Sequence, residues 1–180
     1  VISNNYTLSS FLDENGIEYH VWSMPEIMFD TDCKSFPLFS YLMLIFRLLH
    51  YVRKKKIDVI YVNGGAPCQF CVPVAKLTKI PILCHFHHPA SKRYYLLWLI
   101  KHVDQLIFPS EYTKRVTFEK IQKNGKVVSN GVDNKGVFQP QKTKQNSYRL
   151  DLGFSPEDVV LAQIGCVAHY KGLEVLINAY

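Results

Sequence analysis

Apolar and polar positions along this chain switch between two rhythms, and the switching predicts strands alternating with helices. Phe36 to Lys56 carries apolar residues at helical spacing and ends in the basic turn Arg53-Lys54-Lys55-Lys56, which complements the negative end of a helix dipole. Ile57 to Val62 then reads as a strand, stopped by Asn63-Gly64-Gly65. The rhythm recurs with a short helix from Pro67 to Lys79 and a strand from Ile80 to His87. A helix from Arg93 to His102 and a strand from Gln105 to Phe108 follow. Ser110 is placed to cap another helix reaching about Asn124, and Lys126 to Ser129 makes a short strand before Asn130-Gly131. Upstream, Thr7 to Asn15 predicts a helix closed by Gly16, then a strand from Ile17 to Trp22. Strands rich in Val, Ile and Leu, separated by helices, imply a parallel sheet covered on both faces: a doubly wound α/β domain.

The texture changes after Asp133. Gln139 to Ser147 is polar and nearly free of apolar residues, as a linker or long surface loop is. Tyr148 to Leu152, ended by Gly153, suggests one helical turn. Val159 to Ile164 then reads as a fresh strand, followed by Gly165 and a helix starting near Lys171, the start of a second α/β domain. The chain opens at Val1 rather than Met and stops inside a helical pattern at Tyr180, so we expect a piece of a longer protein.

Composition narrows the class. The 180 residues are 48% hydrophobic and 20% charged, values of an ordinary globular domain that exclude a disordered or fibrous chain. The net charge of +6 is uneven: six acidic residues precede the first basic one, Lys34, and basic residues dominate afterwards. Such a patch suits phosphorylated ligands, anionic lipid or nucleic acid, or is simply a solvated helix end. No aromatic-basic RNA motif or zinc-finger spacing supports nucleic acid. Ser40, Arg47 and His50 interrupt the run from Phe36 to Val52, which fits a buried or interfacial helix better than a membrane span. Five irregularly spaced cysteines argue against a secreted disulfide framework and for a reducing cytoplasm.

Two stretches could carry chemistry. Gly165-Cys-Val-Ala-His-Tyr-Lys171-Gly172 lies between a strand pattern and a helix start, where free N–H groups and the helix dipole favour an anion. Cys68-Gln-Phe-Cys71 opens a helix after a strand, the setting of a dithiol whose reactive thiol the helix would acidify. With His85 and His87, which alternation puts on one side of their strand, the same cysteines could instead form a zinc site.

The order Val-Val-Ser129-Asn130-Gly131-Val132-Asp133, Phe138-Gln-Pro140, Arg149-Leu-Asp-Leu-Gly153, Ile164-Gly165 and Lys171-Gly172 resembles the family-4 retaining glycosyltransferases. The resemblance extends back through Ile57 to Tyr61, Ile80 to His87 and Asp104 to Ser110. It implies GT-B architecture, two Rossmann-like domains facing each other. Residues 1–138 would be the acceptor-side domain without its first strand, 139–157 the connection, and 158–180 the start of the donor-binding domain. It further implies that Lys171, Gly165 and Gly172 meet the donor diphosphate and that His87 serves catalysis beside the reacting sugar. Asn63, Ser110 and Asn130 would face the acceptor cleft. The donor is then a substrate, and neither a metal nor another cofactor is expected. The acceptor would be a polysaccharide or lipid-linked glycan, and the enzyme cytoplasmic, with Arg53, Lys54, Lys55 and Lys56 touching an anionic membrane face. Cys166 departs from the pattern, because the family commonly has arginine there. A non-catalytic module that keeps the fold and binds a nucleotide, glycan or partner is therefore the alternative, and activity is expected of the whole protein only.

Overall fold

The computed structural model describes residues 1–29, 34–35, 37–117, 125–132, 149–155, 157–165, 167 and 171–179. The chain divides into two compact units, Val1–Asn130 and Gly131–Tyr180. At the centre of the first unit is a four-stranded parallel sheet of β5 (Ile60–Asn63), β6 (Ile82–His85), β7 (Gln105–Phe108) and β8 (Gly125–Val127), paired in that order. Helices α3 (Cys68–Thr78), α4 (Lys92–Leu97) and α5 (Glu111–Val116) lie in the connections between successive strands. Before them come β1 (Ile2–Ser3), α1 (Ser9–Glu14), β2 (His20–Val21), β3 (Met28–Phe29), β4 (Lys34–Ser35) and α2 (Leu38–Lys54). β1 and β2 form a separate parallel pair, and β3 and β4 an antiparallel one. The pattern of apolar positions gave no sign of β1, β3 or β4, which are two residues each.

The register sets the core. Val62, Cys84 and Leu106 are neighbours across three strands and are buried with Ile82 and Phe108. Their alternates Tyr61, Leu83, His85, Gln105 and Ile107 are only partly buried or exposed, Tyr61 at 56%. Among the described residues one side of each strand is therefore buried more deeply than the other.

Helix α3 is buried from two directions. Cys68, Val72 and Ala75 belong to the cluster on the sheet, while Phe70 and Val74 join Trp22, Leu44, Leu48 and Val52 in a second cluster built on α2. Its sequence contains a local conflict, Pro73, which has no N–H to give the carbonyl of Gln69 four residues back. That carbonyl accepts the hydroxyl of Tyr41 from α2 at 2.6 Å. Gln69 itself is 2% exposed, and its side-chain Oε1 accepts the N–H of Ile27 at 3.0 Å. Burial raises the pKa of Tyr41, consistent with a phenol kept protonated as a donor. At the far end of α3, the Asp104 carboxylate accepts from the N–H of Ile82 (2.9 Å) and from Lys76 (3.0 Å). These contacts, the backbone one first, hold its pKa below the usual carboxylate range.

Several boundaries differ from the sequence reading, each for a local reason. β5 starts at Ile60 rather than Ile57, because the N–H of Ile57 closes α2 on the carbonyl of Val52 (3.1 Å), with Lys56 left-handed at φ 52°. In the same way Ile17 closes α1 on Leu12, and the strand expected over Ile17–Trp22 shrinks to the two residues opposite Ile2–Ser3. The helix expected over Arg93–His102 breaks at Leu99 (φ 56°), and a 3₁₀ turn follows at Ile100–His102. That break carries Ile100 into the core at 2% exposure. Val159 to Ile164 is not a strand: nothing among the described residues pairs with it, and Val159 and Ile164 are 89% and 98% exposed. An apolar run supplies only half of a strand; the ladder needs a neighbour. The helical turn at 149–151 and the helix Leu173–Ala179 form as expected. The linker 139–147 and the end of the helix predicted to Asn124 lie outside the described residues.

Because Tyr41 supplies the hydrogen bond that Pro73 withholds, Tyr41→Phe should cost about 1–2 kcal/mol, the price of an unpaired buried carbonyl. In a Pro73→Ala background the new N–H can take that carbonyl, and the same change should cost markedly less. A double-mutant cycle in urea unfolding measures the difference.

Candidate functional site

The chemistry-bearing side chains of the first unit gather where the parallel strands end. Such carboxyl edges collect ligands in open α/β sheets, because helix N-termini and loops converge there. The register pairs Asn63, the last residue of β5, with His85, the last of β6. Two residues further on, His87 hydrogen-bonds through Nε2 to the Asn63 side-chain oxygen. An amide oxygen only accepts, so Nε2 of His87 is the donor in this contact. The rings of His85 and His87 are 4.3 Å apart. On the other side of His85, its Nδ1 and the Tyr61 hydroxyl share a hydrogen bond of 2.7 Å. Tyr61, Asn63, His85 and His87 thus form one continuous polar row across two strands.

The backbone beneath this row is fixed by a close approach. The N–H of Gly64 donates to the carbonyl of His85 (2.8 Å), and the N–H of Phe86 to that of Ile107 (2.9 Å), so pairing continues past the strand ends. Gly65 lies under the indole of Trp98 and the ring of Phe86. A Cβ there would be 2.3 Å from Trp98 Cε3 and 2.7 Å from Phe86 Cε1, so only glycine fits. Tyr94 stacks on the other part of this wall, 4.4 Å from Trp98.

Burial holds the pKa of His85 below its ordinary value, and the positive charge that His87 would carry adds to the effect. Two imidazoles this close oppose each other's protonation, so His85, the more affected ring, is the one whose charge is disfavoured.

The other predicted residues are placed as follows. Ser110 lies two residues beyond the end of β7, and its Oγ accepts the N–H of Thr113 at 3.1 Å, capping α5. Asn130 is exposed, three residues beyond the end of β8. Asn63, His87, Ser110 and Asn130 therefore stand at or just beyond the ends of four successive parallel strands, but of these four, hydrogen bonding joins only Asn63 and His87. In the second unit, Gln163 Nε2 donates to the carbonyl of Lys171 (2.8 Å), and the Lys171 side chain comes back beside Gly165. Gly172 follows with φ 72° before the helix Leu173–Ala179. Cys166 lies outside the described residues.

The cysteines give a correction. A helix N-terminus was expected to acidify the Cys68 or Cys71 thiol. Instead Cys68 is wholly buried and its pKa is raised, first by its hydrogen bond with Cys84 and then by burial. Burial, with a smaller contribution from Cys68, pushes Cys71 up to about 12. The Cys84 contact and burial at Cys68, and burial at Cys71, disfavour the thiolate, so these are packing thiols. The zinc arrangement does not assemble either: among the described residues no three His, Cys, Asp or Glu side chains come together.

Sequence reasoning left Tyr61 and His85 out of the site. The signal was present in period-two alternation, since Tyr61 and Asn63 share a face, but which residue of β6 stands opposite Asn63 is a matter of register.

The family described as Glycosyltransferase Family 4 matches residues 5–135. No curated protein matches the chain in sequence. Among solved structures, the chain is similar to a glycosyltransferase from Rickettsia africae ESF-5, with 18% identity and a TM-score of 0.73. It covers 99% of this chain and 47% of that one. It is also similar to Anabaena Alr3699/HepE in complex with UDP and glucose, with 17% identity, a TM-score of 0.75, and coverage of 96% and 47%. A third likeness, to MurG of Acinetobacter baumannii, has 13% identity and a TM-score of 0.51 over 73% of this chain and 37% of that one. The chain spans less than half the length of each. At these identities the likeness shows the fold, a Rossmann-like parallel α/β arrangement of the GT-B type.

Two measurements check the site. Gly65→Ala should destabilise the protein by about 1–3 kcal/mol in urea unfolding, the usual cost of overpacking a rigid wall. In NMR titration His85 should have its midpoint below about 6.5, the unperturbed imidazole value. His87→Gln should raise that midpoint only part of the way, because burial is the larger cause.

Proposed function

The chain belongs to glycosyltransferase family 4, and on that premise we propose that the whole protein transfers a sugar from a nucleoside diphosphate to a hydroxyl acceptor with retention. The family match over 5–135 carries this reading. The bound UDP and glucose in the Anabaena HepE structure support a nucleotide-sugar donor. We assign residues 1–138 to the acceptor side, 139–157 to the connection and 158–180 to the start of the donor-binding domain.

Each residue then has a physical task. Lys171, whose side chain lies beside Gly165 and which Gly172 follows, neutralises charge that grows on the diphosphate as it leaves, an electrostatic stabilisation of the transition state. His87, its Nε2 hydrogen-bonded to Asn63, offers Nδ1 to a hydroxyl of the sugar or acceptor. His87 is given no role as nucleophile or general base, and Ser110 and Asn130 are assigned to the acceptor's surroundings. The positive charge of Lys171 serves where another enzyme would use a metal, and we assign no cofactor beyond the donor. A polysaccharide or lipid-linked glycan is the proposed acceptor, and the cytoplasm, at a membrane face, the proposed location. No described helix is long and apolar enough to cross a membrane.

Calorimetric titration of the whole protein with UDP, GDP and their sugars tests the donor assignment. Binding should weaken about tenfold or more in Lys171→Ala, the loss of one hydrogen bond to a charged group of about 1.5 kcal/mol. His87→Ala should lower turnover while leaving diphosphate affinity unchanged. Failure of every nucleotide to bind would turn the assignment to a non-catalytic module of the same fold.

A further inference from the structure

Helix α2 buries one side and exposes the other, but the exposed side is not polar in the usual way. Leu44, Leu48 and Val52 point into the core at one helical turn's spacing. Opposite them, Phe39, Leu42, Met43 and Phe46 are exposed at 78%, 44%, 53% and 66%. These positions recur at three and four residues, so they form one stripe. The stripe continues as His50, Arg53 and Lys54, and a shallow groove lined by Phe46, Leu49, His50, Arg53 and Lys54 joins its two halves. Lys55, one residue later, is turned aside to Glu18 at 2.7 Å. A surface helix normally sets its polar residues opposite its buried ones. Here the first half of that surface is aromatic and aliphatic, and only the second half is charged.

We propose that this face of α2 lies on an anionic lipid surface, with Phe39, Leu42, Met43 and Phe46 in the acyl boundary and Arg53 and Lys54 among headgroup phosphates. An apolar stripe ending in basic residues fits a boundary that is oily on one side and negatively charged on the other. From Phe39 to Arg53 the helix rises roughly 21 Å, enough for a tilted helix to span both layers. A second copy of the chain fits worse. Antiparallel pairing of two α2 helices would set the phenylalanines of each against the arginine and lysine of the other, and parallel pairing would bring the cationic ends together. The inference extends the lipid-linked acceptor reading but rests on α2 alone, so nucleotide titration and lipid binding fail independently.

Sedimentation of the protein with vesicles of phosphatidylcholine, with and without about one third phosphatidylglycerol, tests it. The protein should sediment with the anionic vesicles and little with the neutral ones. Arg53→Gln with Lys54→Gln should weaken that binding roughly 10- to 30-fold, as expected for two surface charges. Phe39→Ser with Phe46→Ser should weaken it at least about tenfold while leaving nucleotide affinity and thermal unfolding unchanged. Because Phe46→Trp preserves the bulk of the stripe, its emission gives a second readout and should shift to the blue on anionic vesicles. Absence of binding, equal binding to both vesicles, or an unshifted Phe46→Trp emission would overturn the proposal. So would a dimer in sedimentation velocity that Phe39→Ser with Phe46→Ser dissolves, since a second copy would then cover the face.

Discussion

A helix with apolar surface on two sides must be covered twice, and the first unit is organised around meeting that demand for α3. The sheet takes Cys68, Val72 and Ala75; α2 and Trp22 take Phe70 and Val74. The hydrogen bond from Tyr41 to the carbonyl freed by Pro73 makes the second contact specific, because apolar packing alone would let α2 slide along its partner. Gln69, almost wholly buried, then reaches Ile27 and ties the segment before α2 to the same helix. The loop entering α3 is the Gly64-Gly65 turn, so fixing α3 also fixes the ends of β5 and β6, where Asn63 and the histidines stand.

At that edge the arrangement separates two needs. Below the polar row are rings packed against glycine; above it, Tyr61 and Asn63 are open to solvent. Burial disfavours charge on His85, and a neutral imidazole can both give and accept hydrogen bonds. A pair of permanently charged side chains at the same place would hold anions more tightly and discriminate among hydroxyl patterns less well.

Much of this could be read before the structure, because β5 to β7 are short, largely apolar runs bounded by turn residues, and β7 has the very limits the pattern suggests. What stayed hidden depends on relations between distant residues. Ile57 looks like strand and serves to end a helix. Val159 to Ile164 looks like strand and has no neighbour to pair with. Cys68 looks like a reactive thiol because its helix position is visible in the sequence while its burial is not. Tyr61 and His85 share a hydrogen bond only because β5 and β6 meet in one register, and a shift by one residue would part them.

The strand order has a consequence for how the protein is made. In the four-stranded sheet each strand after β5 pairs with the one synthesised just before it. None of these later strands waits for a partner still inside the ribosome, and the growing edge is closed about every twenty residues of elongation. Chains built this way fold by short loops, whose closure is entropically cheap, and offer an open edge to other nascent chains only briefly. Vectorial synthesis and sheet growth then run in the same direction.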